Sequence, residues 1–126
     1  MNVYIKEIPP TFIDESIAPR DSHIHRFHLM KGEVKIGKIV VVDEKQSMYI
    51  QEVDVVKNQR RKGYGTMIME FAIEKYGKRK MSLISASSDS KFSESKLKKF
   101  YNKFGFKSRK DDQDFMERKA DPYSKA

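Results

Sequence analysis

The sequence predicts one α+β domain built around a mixed β-sheet. Short stretches rich in β-branched and aromatic residues recur along the chain, which is typical of strands. Two other stretches carry apolar residues three and four positions apart and end in glycine, which is typical of amphipathic helices. Strands come first and then alternate with the helices, an order that favours a mixed sheet. The 126 residues fit one domain, expected at 1–119, with 120–126 as a flexible C-terminal tail.

Four strands are predicted in the first half of the chain. The first ends at Pro9-Pro10, which lacks the backbone donors that a sheet needs. Thr11 to Ala18 is then expected to form a turn or a short helix. Lys31-Gly32-Glu33 is a hairpin signal between the second and third strands. The predicted strands are Val3 to Ile8, His23 to Met30, Val34 to Val42 and Met48 to Val56.

Two helices, one strand and a hairpin are predicted in the second half. The first helix ends before Gly77, a natural C-cap. Ser93 can cap the second helix, which runs to about Lys103 and ends before Gly105. The predicted segments are helix Thr66 to Tyr76, strand Lys80 to Ala86, the second helix, and a hairpin of Phe106 to Ser108 with Asp114 to Arg118.

The composition limits the classes of function. The chain has no Cys, which excludes a disulfide framework, a thiolate nucleophile and Cys-ligated zinc, and a cytoplasmic location is expected. The first residues lack the apolar core of a signal peptide, and no apolar run is long enough for a membrane span. The net charge of +8 favours an anionic partner: nucleic acid, an acidic protein surface or a phosphorylated cofactor.

The most informative segment is a basic, glycine-containing turn, Val55 to Thr66, between a predicted strand and a predicted helix. The first N–H groups of a helix have no partner within it, and the helix dipole adds positive charge there, so a helix start binds anions. Gly63 and Gly65 let the backbone approach a phosphate closely. Further positive charge comes from the residues just before Gly63, namely Arg60, Arg61 and Lys62.

Two better-known phosphate motifs do not fit this turn. A P-loop needs a Lys and then Ser or Thr directly after its last glycine, whereas Thr66 and Met67 follow Gly65. A Rossmann fingerprint needs a third glycine three residues after Gly65, where the chain has Ile68. On this segment alone, a solvated basic turn stays open as the alternative to an anion site.

A second segment, Leu97 to Phe106, carries aromatic residues on one face of a helix that ends at Gly105. A Tyr on such a face belongs to the core more often than to a catalytic site. If it is buried, its hydroxyl needs a polar partner.

Together and in this order, the two segments resemble the GNAT acetyltransferases. Arg60-Arg61-Lys62-Gly63-Tyr64-Gly65 matches the family's acetyl-CoA signature of Arg or Gln, two residues, Gly, one residue, and Gly or Ala. Tyr101-Asn102-Lys103-Phe104-Gly105-Phe106 is similar to its later motif, a helix that carries Tyr and ends in Gly-Phe. The turn from Lys31 to Gly37 is similar to the one entering the family's third strand. The resemblance covers roughly Gly32 to Phe106.

The resemblance implies a mostly antiparallel sheet of about seven strands, splayed between the fourth and fifth strands and flanked by helices, with acetyl-CoA as cosubstrate in the gap. Tyr101 would lie near the thioester sulfur, where its hydroxyl can protonate the departing thiolate. The Val55 N–H would stabilise the tetrahedral oxyanion. The implied cofactor contacts are Val53 and Val55 to the pantetheine arm, and to the pyrophosphate Arg60, Arg61, Lys62, Gly63, Tyr64, Gly65 and Thr66.

The general base is expected to be Glu52, because family members often use a Glu on the fourth or fifth strand, or an ordered water. Strand alternation places Glu52 and Asp54 on one face of the fourth strand and Tyr49, Gln51 and Val53 on the other. On the fifth strand, Ser85 and Ser87 could hold a water. The alternative for Glu52 is a surface carboxylate among many lysines.

The acceptor side departs from the family pattern. Relatives place two helices between the first two strands, whereas only Pro9 to Ser22 is available here. An open acceptor side favours a protein or peptide amine over a small molecule. The predicted function is N-acetyl transfer to a primary amine by direct attack in a ternary complex. The alternative is a GNAT-like module that has lost catalysis and binds nucleic acid or an acidic protein through its basic surface.

No metal site is expected from the three histidines. In a strand, His23 and His25 project from one face and His28 from the other. The local pattern supplies no carboxylate or thiolate to complete a tetrahedral site.

Overall fold

The structure, a computed structural model, describes residues 2–9, 23–85 and 94–121. Predicted elements within these ranges are present with slightly shifted ends, while Thr11 to Ala18 and Ser93 lie outside them. The helices are α1 Tyr64–Tyr76 and α2 Glu94–Asn102, and a 3-10 turn at Lys57–Gln59 precedes α1. The strands are β1 Val3–Ile8, β2 Ile24–Lys31, β3 Val34–Asp43, β4 Ser47–Val55, β5 Lys80–Ile84, β6 Lys107–Ser108 and β7 Phe115–Arg118.

The strands within the described residues form one sheet in the order β1-β2-β3-β4-β5-β7-β6, in which only the β4–β5 pair is parallel. This confirms the predicted mixed, mostly antiparallel sheet. β4 and β5 pair from Ser47 with Lys80 to Ile50 with Leu83. Beyond that point β4 continues along β3 to Val55, whereas β5 continues only along β7. The sheet is therefore open between β4 and β5 at one end.

Both helices pack on one face of the sheet, which we call the inner face. The Phe71 ring of α1 meets Phe27 of β2 edge to face, with ring centroids 4.9 Å apart. Tyr101 of α2 belongs to the same core. Burial of each large apolar side chain there stabilises the fold by about 1.5–3 kcal/mol. In the described part of the chain, neither helix is long and apolar enough to cross a membrane. The sheet contributes to this core Phe27, Leu29, Ile39, Val41, Met48, Ile50, Met81, Leu83 and Met116.

β4 carries a β-bulge beside the open end of the sheet. Val40 of β3 pairs with Glu52, whereas the next residue, Val41, pairs with Ile50. Gln51 is therefore left without a partner on β3. An extra residue of this kind interrupts the ladder and changes which side chains share a face.

The bulge corrects one expectation for β4. Tyr49 lies with Glu52 and Asp54 on the face opposite the helices, which we call the outer face. Val53 lies with Ile50 on the inner face. The prediction that Tyr49 and Val53 share a face opposite Glu52 is wrong, because it assumed uninterrupted alternation.

An ion pair between Asp43 and Arg79 ties the end of β3 to the segment before β5. Arg79 Nη1 and Nη2 donate to the two carboxylate oxygens at 2.9 and 3.2 Å. The hydrogen bond from Arg79, followed by one from the Lys45 N–H, lowers the pKa of Asp43 to about 2. Because this folded-state pKa lies below the unfolded value, ionised Asp43 stabilises the fold at and above about pH 4. That stabilisation is lost as the pH falls through about 2.

We expect the stability difference between the wild type and Asp43→Asn to shrink as the pH falls from 4 to 2. After allowance for solvent screening, the change should be on the order of 1 kcal/mol in the free energy of unfolding. Chemical denaturation at several pH values measures it. A difference that stays constant across this window would show that Arg79 does not hold the ionised carboxylate.

Candidate active site

The parting of β4 and β5 creates a cleft of about 260 Å³ at the open end of the sheet. β4 lines one wall, β5 lines the other, and one side chain of α2 reaches in between them. The lining residues are Ile50, Gln51, Glu52, Val53, Asp54, Leu83, Ile84 and Tyr101.

The edge of β4 that faces the cleft presents backbone groups to a ligand. The Val56 N–H donates to the Ile36 carbonyl at 2.9 Å, so these two residues form a hydrogen-bonded pair. Bonded and non-bonded pairs alternate along antiparallel strands. Val53 and Val55 therefore turn their N–H and C=O groups away from β3, toward the cleft. An extended, amide-containing arm can bind such an edge as an added strand does.

α1 begins at a turn with exposed backbone amides. Gly63 is the N-cap residue with φ +85°, and Arg61 also has a positive φ of 64°. Among the described residues, no side chain caps the helix start. The first bond within the helix runs from the Met67 N–H to the Gly63 carbonyl at 3.1 Å. The N–H groups before it, on Tyr64, Gly65 and Thr66, have no acceptor within the helix and can bind an anion.

Arg60 lies on the strand side of this turn. Its Nε donates to the Val55 carbonyl at 2.8 Å, and its Nη2 lies 3.4 Å from an Asp54 carboxylate oxygen. These contacts fix the turn against β4, and Asp54 offsets part of the positive charge. Arg61 and Lys62 are exposed beside the helix start and carry charge that an anion can meet.

Tyr101 brings a hydroxyl group from α2 to the cleft. The residue is 8% exposed, and its ring packs edge to face on Phe100 and Phe106 at centroid distances of 5.3 and 6.2 Å. Burial raises the pKa of Tyr101. The hydroxyl is therefore protonated at neutral pH and can donate a proton or a hydrogen bond to a charge that develops in the cleft.

Two carboxylates stand at the outer-face side of the cleft. Glu52 and Asp54 both line it, and their side chains are 49% and 50% exposed. Glu52 forms an ion pair with Lys38 of β3 at 2.8 Å. Sequence reasoning singled out Glu52 but not Lys38. The contact depends on the β3–β4 register, which places Lys38 directly opposite Asp54 and which no local pattern of either strand shows.

The sequence matches the profile of a known protein family. The profile of the Acetyltransferase (GNAT) domain matches residues 23–108, more than half of the chain. The chain belongs to the GNAT acetyltransferase family. No curated protein sequence matches it.

Solved structures share the GNAT fold. IAA acetyltransferase from Bacillus cereus is 21% identical with a TM-score of 0.66, and the match covers 92% of this chain and 97% of that one. A GNAT family acetyltransferase from Elizabethkingia anophelis, solved with acetyl-CoA bound, is 16% identical with a TM-score of 0.61, covering 90% and 95%. A Bacteroides thetaiotaomicron protein assigned to the GNAT family is 18% identical with a TM-score of 0.63, covering 82% of this chain and 66% of that one. The predicted GNAT fold is confirmed.

The Ser85 hydroxyl is directed to the Asp114 carbonyl, and Ser85 is not among the residues that line the cleft. Ser85 is fully buried, and both its N–H and its hydroxyl donate to the Asp114 carbonyl, at 2.7 and 3.2 Å. It joins the end of β5 to the segment before β7. Ser87, the other residue considered for this role, lies outside the described residues.

The histidines occupy different places in the GNAT sheet. His25 lies on the inner face, where its ring is 5.9 Å from the Tyr76 ring, and His28 lies on the outer face opposite Lys38. Within residues 2–9, 23–85 and 94–121, no three His, Asp or Glu side chains come together as a metal site.

Proposed function

We propose that this GNAT protein transfers the acetyl group of acetyl-CoA to a primary amine by direct attack in a ternary complex. The observation that carries the proposal is that the free edge of β4 runs from the cleft lined by Tyr101 toward the turn at the start of α1. The free edge of β4, the amide-rich start of α1 and the Tyr101 hydroxyl together match the three parts of acetyl-CoA: the pantetheine amides, the phosphates and the sulfur.

The cosubstrate would bind along β4 and end at α1. The Val55 N–H and the Val53 carbonyl would bind the pantetheine amides, because the Val55 carbonyl already accepts a hydrogen bond from Arg60. The pyrophosphate would accept hydrogen bonds from the first N–H groups of α1, with Arg61 and Lys62 adding positive charge. Arg60 would act by holding the turn against β4 rather than by direct contact.

The chemistry needs a base, an oxyanion donor and an acid. Glu52 would take a proton from the incoming ammonium group, directly or through a water, because it lines the cleft on the outer-face side. The attack on the thioester carbonyl forms a tetrahedral oxyanion. The Val53 N–H, rather than that of Val55, would donate a hydrogen bond to it, because phosphates at the start of α1 leave the thioester farther back along β4 than Val55. When the C–S bond breaks, the Tyr101 hydroxyl would donate its proton to the thiolate.

We favour a protein or peptide amine as the acceptor. The Glu52 and Asp54 carboxylates are half-exposed, so a group on a large partner can reach them. Opposite charge also favours approach of an ammonium group to these two residues.

Calorimetric titration with acetyl-CoA, followed by detection of free CoA thiol in the presence of amine acceptors, tests this proposal. We expect micromolar binding and thiol release that depends on the amine. Absence of binding by folded protein would overturn the proposed function.

A further inference from the structure

A row of basic side chains crosses the outer face next to the cleft. Lys6 of β1 pairs with His28 of β2, His28 pairs with Lys38 of β3, and Lys38 pairs with Asp54 of β4. Directly paired residues project from the same face of a sheet, so these side chains lie side by side. Lys35, which pairs with Met30 two residues from His28, projects from the same face. We call Lys6, His28, Lys35 and Lys38 the basic row.

The basic row brings positive charges together with few carboxylates beside them. The like charges at neutral pH are those of the three lysines, which repel one another on one face of the sheet, because the lowered pKa of His28 leaves its ring neutral. Lys38 has Glu52 as a partner at 2.8 Å. In the described part of the chain, no carboxylate lies within 4 Å of the Lys6 or Lys35 ammonium group. Burial, followed by the charges of Lys35, Lys38 and Lys6, lowers the pKa of His28. The positive charges of the three lysines therefore add up at the position of the His28 ring.

The row is continuous with the cleft. Lys38 touches Glu52, and Glu52 lines the cleft together with Asp54. Neighbouring strands are about 5 Å apart, so His28 on β2 lies about 10 Å from β4. Moving outward from the cleft, a bound molecule would meet acidic groups first and then basic groups.

We propose that the acceptor is an amine that carries an anionic group, a carboxylate or a phosphate, about 5–10 Å from the reacting nitrogen. The amine would lie at Glu52 and Asp54, and the anion would lie on the basic row. In an extended peptide, which rises about 3.3 Å per residue and places alternate side chains on one face, this is an acidic residue two positions from the acetylated one. The inference rests on the proposed acetyl transfer and narrows its substrate class.

The test compares acceptors that differ only in this anionic group. Three blocked peptides with a single lysine carry Glu, Gln or phosphoserine two residues away, and 5-aminopentanoate is paired with its amide. We expect kcat/KM to be about tenfold higher for each anionic member, as for a few partly exposed ion pairs acting together. The phosphoserine and Glu peptides together show whether phosphate or carboxylate is preferred.

Variants that remove lysine charges test whether the preference for anionic acceptors depends on the basic row. Lys6→Gln/Lys35→Gln is expected to lose most of the preference for the anionic acceptors. Lys110→Gln/Lys119→Gln removes the same charge from exposed positions away from the row and should keep the preference. If both double variants lose it equally, the effect belongs to the net charge and the inference is overturned.

The outcomes separate the two proposals. If acetyl-CoA binds and amines react, but charged and neutral members of each pair react equally, the inference fails and acetyl transfer stands. If acetyl-CoA does not bind at all, the proposed function fails, and the inference fails with it.

Discussion

Replacement of Tyr101 by Phe is expected to lower kcat for acetyl transfer by about 10²–10⁴-fold, the usual contribution of a general acid. The KM for acetyl-CoA should change little. Phe keeps the ring that packs on Phe100 and Phe106 and removes only the hydroxyl group. Because burial raises the pKa of Tyr101, the hydroxyl holds its proton at neutral pH and can give it to a thiolate with a parent pKa near 8.5. Steady-state kinetics with a reactive amine measures both constants.

Tyr76→Phe is the matched control. Tyr76 ends α1, burial raises its pKa to about 12, and its buried hydroxyl has no hydrogen-bond partner among the described residues. Removing that hydroxyl should leave kcat unchanged and the protein at least as stable, because an unpaired buried polar group is unfavourable. A Tyr101→Phe variant with kcat within threefold of the wild type would assign the acid to another group.

The elements of the fold were predictable because each depends on local patterns. β3 is a run of β-branched residues, α1 has apolar residues at helical spacing, and the segment between β4 and α1 contains one glycine, Gly63, which has a positive φ. The β-bulge at Gln51 was not predictable from alternation. Its position depends on the pairing of β3 with β4, which no local pattern of either strand shows.

The parts of the candidate site that consist of backbone groups were predictable from the sequence. The hydrogen-bond and ion-pair partners of its side chains were less predictable. The start of α1 presents free N–H groups whatever its side chains are, so the turn could be located from the sequence. Arg60, by contrast, contacts the Val55 carbonyl and the Asp54 carboxylate. Which groups it can reach depends on where β4 ends. The same holds for Lys38, whose contact with Glu52 joins two strands.

Replacement of Gly63 by Asp is expected to raise the Kd for acetyl-CoA by about 100-fold. A carboxylate at the N-cap position competes with the phosphates for the free N–H groups and repels them. Two like charges about 4 Å apart repel by about 1 kcal/mol in bulk water and by about 4 kcal/mol near a protein surface, and a 100-fold change in Kd, about 2.7 kcal/mol, lies between these values. Calorimetric titration measures the change, and it should weaken as salt is added.

Gly63→Asn is the control for Gly63→Asp, because it adds a side chain of similar shape without the negative charge. A Cβ at Gly63 would have no atom within 4 Å, so either side chain fits without displacing a neighbour. The φ of +85° is left-handed, a region that Asn and Asp adopt more readily than other residues with a side chain. Asn should therefore keep the Kd within a few-fold of the wild type. Because the two variants differ only in charge, equal affinities would place the phosphates away from this turn, whereas a large difference that falls with salt would place them at the start of α1.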